Sequence, residues 1–346
     1  MTHRKPLCAV ALLILGLAPL RAQDLVHHDA NREIVLNGGG ATFSYPVLSK
    51  WFAEYQQRSP SVKINYQPIG SGGAIRQILE HTLDFAASES WLSDEQLGKL
   101  GEPLLHIPAV LGAVVPAFNL PGIPELKFTG PLLADIYLGR VARWNDPAIG
   151  KLNPGVRLPD APIALVHRAD GSGTTFCLTD YLSKTSKDWE TKVGRGVALS
   201  WPSGIGAKGN QGVTAYVQQT QYSLGYLELT YALQSGLTYG SVQNRAGRFV
   251  KASAQSASDA AAATTKTMPR DYRISITDAP GVKSYPIVSF SWLLLYGKNP
   301  PDKSLALRDF LHWMIADGQK SARALNYAPL PLNIVAMVRV SIEEIR

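Results

Sequence analysis

A chain of 346 residues with 34 Lys and Arg against 27 Asp and Glu carries a formal charge of +7, and that modest excess has no basic run interleaved with aromatics, which excludes a nucleic-acid-binding face. Its two cysteines are Cys8 and Cys177, and the first falls in a predicted leader, so no intramolecular disulfide is expected and the fold has to rest on its core.

The opening "MTHRKPLCAVALLILGLAPLRAQ" places His3, Arg4 and Lys5 ahead of an apolar stretch from Leu7 to Leu17, followed by Leu20-Arg21-Ala22. That order predicts a secretory signal peptide over residues 1–22, cut after Ala22, and an exported protein. Cys8 precedes the apolar stretch, where a lipid-anchoring cysteine would have to follow it. No later run approaches the ~20 apolar residues of a membrane-spanning helix. About 324 residues remain after the cut, above the ~250–300 at which single cores divide, so two lobes are predicted. His27 and His28 lack the spacing or companion cysteines of a metal site, and no metal or cofactor is expected.

Val47, Trp51, Phe52 and Tyr55 recur at helical spacing. "SVKINYQPI" then alternates Val62, Ile64 and Tyr66 as a strand does, and Ile75, Ile78 and Leu79 return to helical spacing. "APIALVHR" reads as a strand buried on both faces, with His167 as a strand residue. The alternation predicts an α/β fold. "ASAQSASDAAAATT", residues 252–265, is the one biased stretch, and its small polar residues predict a surface insertion.

Three segments share one design. "NGGGATFSYP", "IGSGGAIRQ" and "RADGSGTTF" each follow a predicted strand and enter a predicted helix. Glycines permit a tight turn, so the unpaired N–H groups of the helix's first turn and the Ser or Thr hydroxyls can converge on an anion. Taken singly, each is equally an ordinary capped turn; three in one chain favour an oxyanion seat. A hydrolase elbow does not fit, because Ser172 has Asp170 and Ser71 has Ile69 where G-x-S-x-G requires glycine. "GIGAKG" matches G-x-G-x-x-G at Gly204, Gly206 and Gly209, but Trp201-Pro202-Ser203 interrupts any strand before it, so the match reads as coincidence.

The chain resembles the periplasmic phosphate-binding proteins (PstS family) of bacterial ABC-type phosphate importers. The residues that carry the resemblance are "GGGATF" at 38–43, "IGSGGAIRQI" at 69–78, "DFAASES" at 84–90, "LADIYLGRVARWND" at 133–146, "RADGSGTTF" at 168–176, "GIGAKGNQGV" at 204–213 and "YPIVSFSWLL" at 285–294. The resemblance implies a two-lobed, type II (Venus-flytrap) periplasmic-binding-protein fold with two hinge strands: lobe one over residues 24–108 and 286–346, lobe two over 109–285. It implies no catalysis. The family's phosphate contacts fall on Thr42, Phe43, Ser71, Glu89, Arg168, Ser172, Gly173 and Thr174, with Phe43 and Gly173 acting through backbone N–H groups and Asp170 orienting Arg168. The family usually has Asp where this chain has Glu89, the carboxylate expected to accept the proton of phosphate. An acceptor-only group there disfavours sulfate, which has no proton to give. The expected partners are phosphate and an inner-membrane ABC permease, the expected location the periplasm and the expected state a monomer. Other tetrahedral oxyanions such as arsenate or a phosphonate, and a secreted scavenger without a transporter, are the alternative readings.

Overall fold

The computed structural model describes residue 1, residues 33–264 and residues 267–346, so the expected signal peptide lies outside the described residues. The first elements are β1 (Ile34–Gly40), α1 (Tyr45–Arg58), β2 (Val62–Gln67), α2 (Ser71–Leu79), β3 (Phe85–Ser88), α3 (Asp94–Leu100) and β4 (Leu104–Phe118). β1 runs parallel to both β2 and β3, as right-handed β-α-β crossovers require. Along β2, Val62, Ile64 and Tyr66 lie more deeply than their exposed neighbours, the alternation expected of a strand with one covered face. α1 starts with Pro46 in its first turn, a position where a missing N–H costs nothing, and buries Val47, Leu48, Trp51, Phe52 and Tyr55 along one stripe.

The chain then builds a second group: β5 (Lys127–Phe128), α4 (Gly130–Tyr137), α5 (Pro147–Leu152), β6 (Ala164–Arg168), α6 (Gly173–Thr185), α7 (Lys187–Lys192), β7 (Ile205–Ala207), α8 (Gly209–Gln219) and β8 (Ser223–Glu228). It continues with α9 (Leu229–Gln234), β9 (Thr238–Tyr239), β10 (Ser241–Gln243), β11 (Phe249–Val250) and α10 (Ala254–Thr264). It returns through β12 (Val288–Tyr296) to α11 (Pro301–Trp313), a π-helical turn at Met314–Gly318, α12 (Gln319–Ala324) and α13 (Leu332–Ile342).

The main sheet has the order β2-β1-β3-β12-β4-β8-β6-β7, with β9 beside β4. β4 joins its two halves: residues 104–113 pair with β12, and residues 114–118 pair with β8. Every residue of β8 and β12 is buried, as central strands covered on both faces should be. The result is a two-lobed α/β fold, with β4 passing from the first lobe's sheet into the second's. The C-terminal edges of β1, β3 and β6 face the junction, the usual place for a ligand in α/β sheets.

One expectation is corrected. The biased stretch from 252 onward is not a surface insertion: it forms α10, whose Ser256, Ala257, Ala260 and Ala261 are buried against β4 and β12. Small side chains at i, i+3 and i+4 allow the helix to approach the sheet closely, so the low-complexity composition reflects packing. "GIGAKG" is also more ordered than its preceding Trp-Pro-Ser suggested. Gly204 turns the chain, Ile205–Ala207 adds the edge strand β7 beside β6, and Gly209 opens α8.

Candidate functional site

The loop after β6 carries a buried polar network. Arg168 ends the strand with its side chain about 1% exposed. Its Nε donates to Asp170 Oδ1 at 2.8 Å, its Nη2 to Asp170 Oδ2 at 2.5 Å and its Nη1 to Thr174 Oγ1 at 3.3 Å. One proton on each terminal nitrogen is left for another acceptor. Burial pushes the Asp170 carboxyl up, but the hydrogen bonds and charge of Arg168 and the Gly209 N–H, at 2.9 Å, outweigh it and hold the group below the usual carboxylate range. The ion pair is therefore charged at neutral pH and rigid.

Four residues after Arg168, Ser172 caps α6, its Oγ accepting from Thr175 N–H at 3.0 Å. The amides of Gly173 and Thr174 are first-turn donors without intrahelical partners, at the positive end of a 13-residue helix. From the other lobe, Thr42 and Phe43 lie in the turn before α1, and Ser71 opens α2. Glu89, at the end of β3, is buried: Oε1 accepts from Ser291 Oγ at 2.8 Å and Oε2 from Ser71 Oγ at 3.2 Å. Burial raises its pKa from 4.5 to about 7, against the opposing pull of Ser291, Ser71 and the Arg168 charge. With its extra methylene over Asp, the Glu89 carboxylate still lies within the site: a Cβ placed on Gly173 would overlap both Glu89 Oε2 and Ser71 Oγ.

The lobes meet here. Gly72 N–H donates to Gly171 O at 3.0 Å, and a Cβ on either glycine would come within 2.9 Å of the other's Cα. Tyr231 Oη donates to Thr42 O at 2.6 Å, and Tyr327 Oη to Phe43 O at 2.5 Å. The structure thus brings Thr42, Phe43, Ser71, Glu89, Arg168, Asp170, Ser172, Gly173 and Thr174 to one junction. His167 stands apart, stacked on Trp201 at 4.9 Å. Among the described residues no group of three His, Cys, Asp or Glu is arranged to hold a metal.

Sequence reasoning assigned no role to Asn210, Ser291, Tyr231, Tyr327 or Glu228. Asn210 and Ser291 do sit inside the quoted segments "GIGAKGNQGV" and "YPIVSFSWLL", so their positions were marked though their contacts were not. Glu228 ends β8, fully buried; its carboxyl accepts from Thr230 N–H at 2.8 Å and lies 3.2 Å from Tyr327 Oη, whose proton goes to Phe43 O. Burial, reinforced by the Glu89 charge, raises its pKa from 4.5 to about 8 despite those bonds.

Both carboxyls hold protons in the folded state that an unfolded chain has already released above pH 4.5. Stability therefore declines as pH rises from about 4.5 to the folded values near 7 and 8, and stays at the lower level beyond. Ligand-free protein should melt at a lower temperature at pH 8.5 than at pH 5.5, and Glu228→Gln should flatten that slope. A melting temperature that rises across the interval would contradict the buried protonated carboxyls.

Comparison with known proteins adds the following. The family model described as a PBP superfamily domain matches residues 26–318. A phosphate-binding protein PstS of Xylella fastidiosa is 45% identical over 314 residues, covering 90% of this chain and 85% of that protein. A phosphate-binding protein PstS of Methanocaldococcus jannaschii is 36% identical, covering 88% of this chain and 87% of its own length. Among solved structures, a periplasmic phosphate-binding protein determined with bound phosphate, PfluDING, superposes with a TM-score of 0.74 at 20% identity, over 89% of this chain and 94% of that one, a likeness of fold.

Proposed function

The chain belongs to the PBP superfamily and, within it, to the phosphate-binding PstS family, and on that premise we propose that it captures inorganic phosphate at the lobe junction and hands it to a membrane permease of the ABC type. It is a binding protein and not an enzyme. The observation that carries the reading is the Arg168–Asp170 pair: a guanidinium fixed by a charged carboxylate, with one proton on each terminal nitrogen unspent, beside the open amides of α6. Arg168 supplies the charge-assisted fork, Phe43, Gly173 and Thr174 the backbone donors, and Thr42, Ser71 and Ser172 further donors. Glu89 accepts the proton of the bound phosphate. We assign the ligand to a junction between lobe one (24–108 and 286–346) and lobe two (109–285), the location to the periplasm and the state to a monomer. No helix among the described residues is long and apolar enough to cross a membrane, which fits a protein that meets its permease from outside.

The binding test is calorimetry on purified protein stripped of bound ligand, titrated with phosphate, arsenate, sulfate and phosphite. Phosphate should bind tightly at one site per chain and sulfate far more weakly; equal affinities for the two would sink the phosphate reading.

Donors from both lobes mean that ligand favours the closed arrangement. Small-angle scattering should show the stripped protein contract when phosphate is added. Gly171 does not adopt a positive φ, so Gly171→Ala brings no left-handed backbone strain, but its methyl meets the Gly72 backbone where the lobes touch. Phosphate affinity should fall about tenfold or more, roughly the 1.4 kcal/mol that a tenfold change represents, with the ligand-free melting temperature almost unchanged. Unaltered affinity would mean that the two glycines need not touch for binding.

A further inference from the structure

Asn210, the second residue of α8, is fully buried and contacts no part of the proposed ligand seat except through two hydroxyls. Its Nδ2 donates to Thr42 Oγ1 across the junction at 2.9 Å and to Thr174 Oγ1 in its own lobe at 3.0 Å. Its backbone N–H donates to Thr42 Oγ1 as well, at 3.2 Å. The orientation of the amide is forced, because Oδ1 accepts the backbone N–H of Glu228 at 2.9 Å and a nitrogen in that place would face another donor.

A threonine hydroxyl accepts through two lone pairs and donates one proton. Thr42 Oγ1 receives two protons, both from Asn210. Thr174 Oγ1 also receives two, one from Asn210 and one from Arg168 Nη1. With their acceptor capacity filled, each hydroxyl has only its own proton to offer to the site.

We propose that Asn210 is the positioning residue that fixes the Thr42 and Thr174 hydroxyls as donors, so that an oxyanion meets donors everywhere at the junction except at Glu89. The inference rests on the phosphate reading. It gives the site's selectivity a structural origin outside the ligand contacts: a hydroxyl free to rotate could accept from a protonated or neutral ligand, whereas a locked one presents only a proton. The bond to Thr42 also spans the lobes, so the locking is complete only when they close.

The test is a mutant cycle on phosphate affinity, measured by calorimetry on stripped protein with the melting temperature recorded for each variant. Asn210→Ala should weaken phosphate about tenfold or more, because each hydroxyl loses one of its two incoming bonds and regains a lone pair with which to accept. In the background Thr42→Val with Thr174→Val, whose affinity is already low, the same change should cost less than threefold, because the hydroxyls it acts through are gone. A residue that merely supports the fold would cost the same in both backgrounds, and that result overturns the proposal, as does a loss below threefold in the unmodified background. Asn210→Asp, of the same shape, covers the case in which the alanine variant fails to fold: its carboxylate draws both hydroxyl protons to itself, so phosphate should bind more weakly than in any single Thr→Val variant. Affinity equal to wild type in the Asp variant also overturns the proposal. Wild-type protein that binds no phosphate would instead remove the phosphate reading itself, and the assignment of Asn210 with it.

Discussion

Arg168→Met should lower phosphate affinity by about a thousandfold, ~4 kcal/mol, the scale found when one partner of a buried, hydrogen-bonded charge pair is truncated. The side chain is almost fully buried, and Asp170 takes its Nε and one Nη2 proton, which leaves a two-pronged donor for ligand oxygens. Met has similar length and no charge, so the change removes the guanidinium without adding bulk. It also leaves the buried Asp170 carboxylate without its counter-charge, held by the Gly209 N–H at 2.9 Å, so some loss of stability should accompany the loss of binding. Calorimetry separates the two through the melting temperature of the ligand-free variant. An affinity within threefold of wild type would remove Arg168 from the ligand's contacts.

Glu89→Gln should change selectivity more than affinity. The carboxylate lies against the α6 N-terminus, and an ionised carboxylate facing sulfate leaves two anionic oxygens without a proton between them. An amide at the same place can donate instead, so sulfate should bind on the order of tenfold to a hundredfold more tightly, the worth of ~1.4–2.8 kcal/mol. With its pKa raised to about 7, Glu89 itself gains a proton as the solution is acidified, and a protonated carboxyl can donate as the amide does. Wild-type affinity for sulfate should therefore increase as pH falls from 8 to 6, while that of the Gln variant stays level. A competition titration at both pH values checks this; equal selectivity in the two proteins would end the proton-acceptor role of Glu89.

The local elements near the junction were legible because each follows one period over a short span. β2 shows its alternation in Val62, Ile64 and Tyr66, α1 its stripe from Val47 to Tyr55, and β6 its apolar run. β4 was not legible, because Pro108 and Pro116 argue against a central strand. The structure accommodates Pro108 at the register shift opposite Ser291 and Trp292; Pro116, which has no N–H to give, lies opposite Tyr226 and takes the Gly240 N–H on its carbonyl at 2.9 Å. α10 is hidden in the sequence because alanine and serine suit a surface insertion and a closely packed helix face alike. At the junction, the residues nominated through the resemblance occupy three compact segments and a fourth that carries Glu89. Their supports do not: Asn210, Glu228, Ser291 and Tyr327 come from four distant parts of the chain, and no spacing connects a residue at 210 with hydroxyls at 42 and 174. Only the fold brings them together.

One phosphate is expected between the lobes, on Arg168 and the first turn of α6, and a crystal structure of the protein grown with phosphate would show it. The account predicts one tetrahedral anion bonded to both terminal nitrogens of Arg168, to the amides of Phe43 and Gly173, and to the Glu89 carboxylate through a short O–H···O contact. An anion seated elsewhere, or one held at this junction with Arg168 turned away from it, would contradict the account.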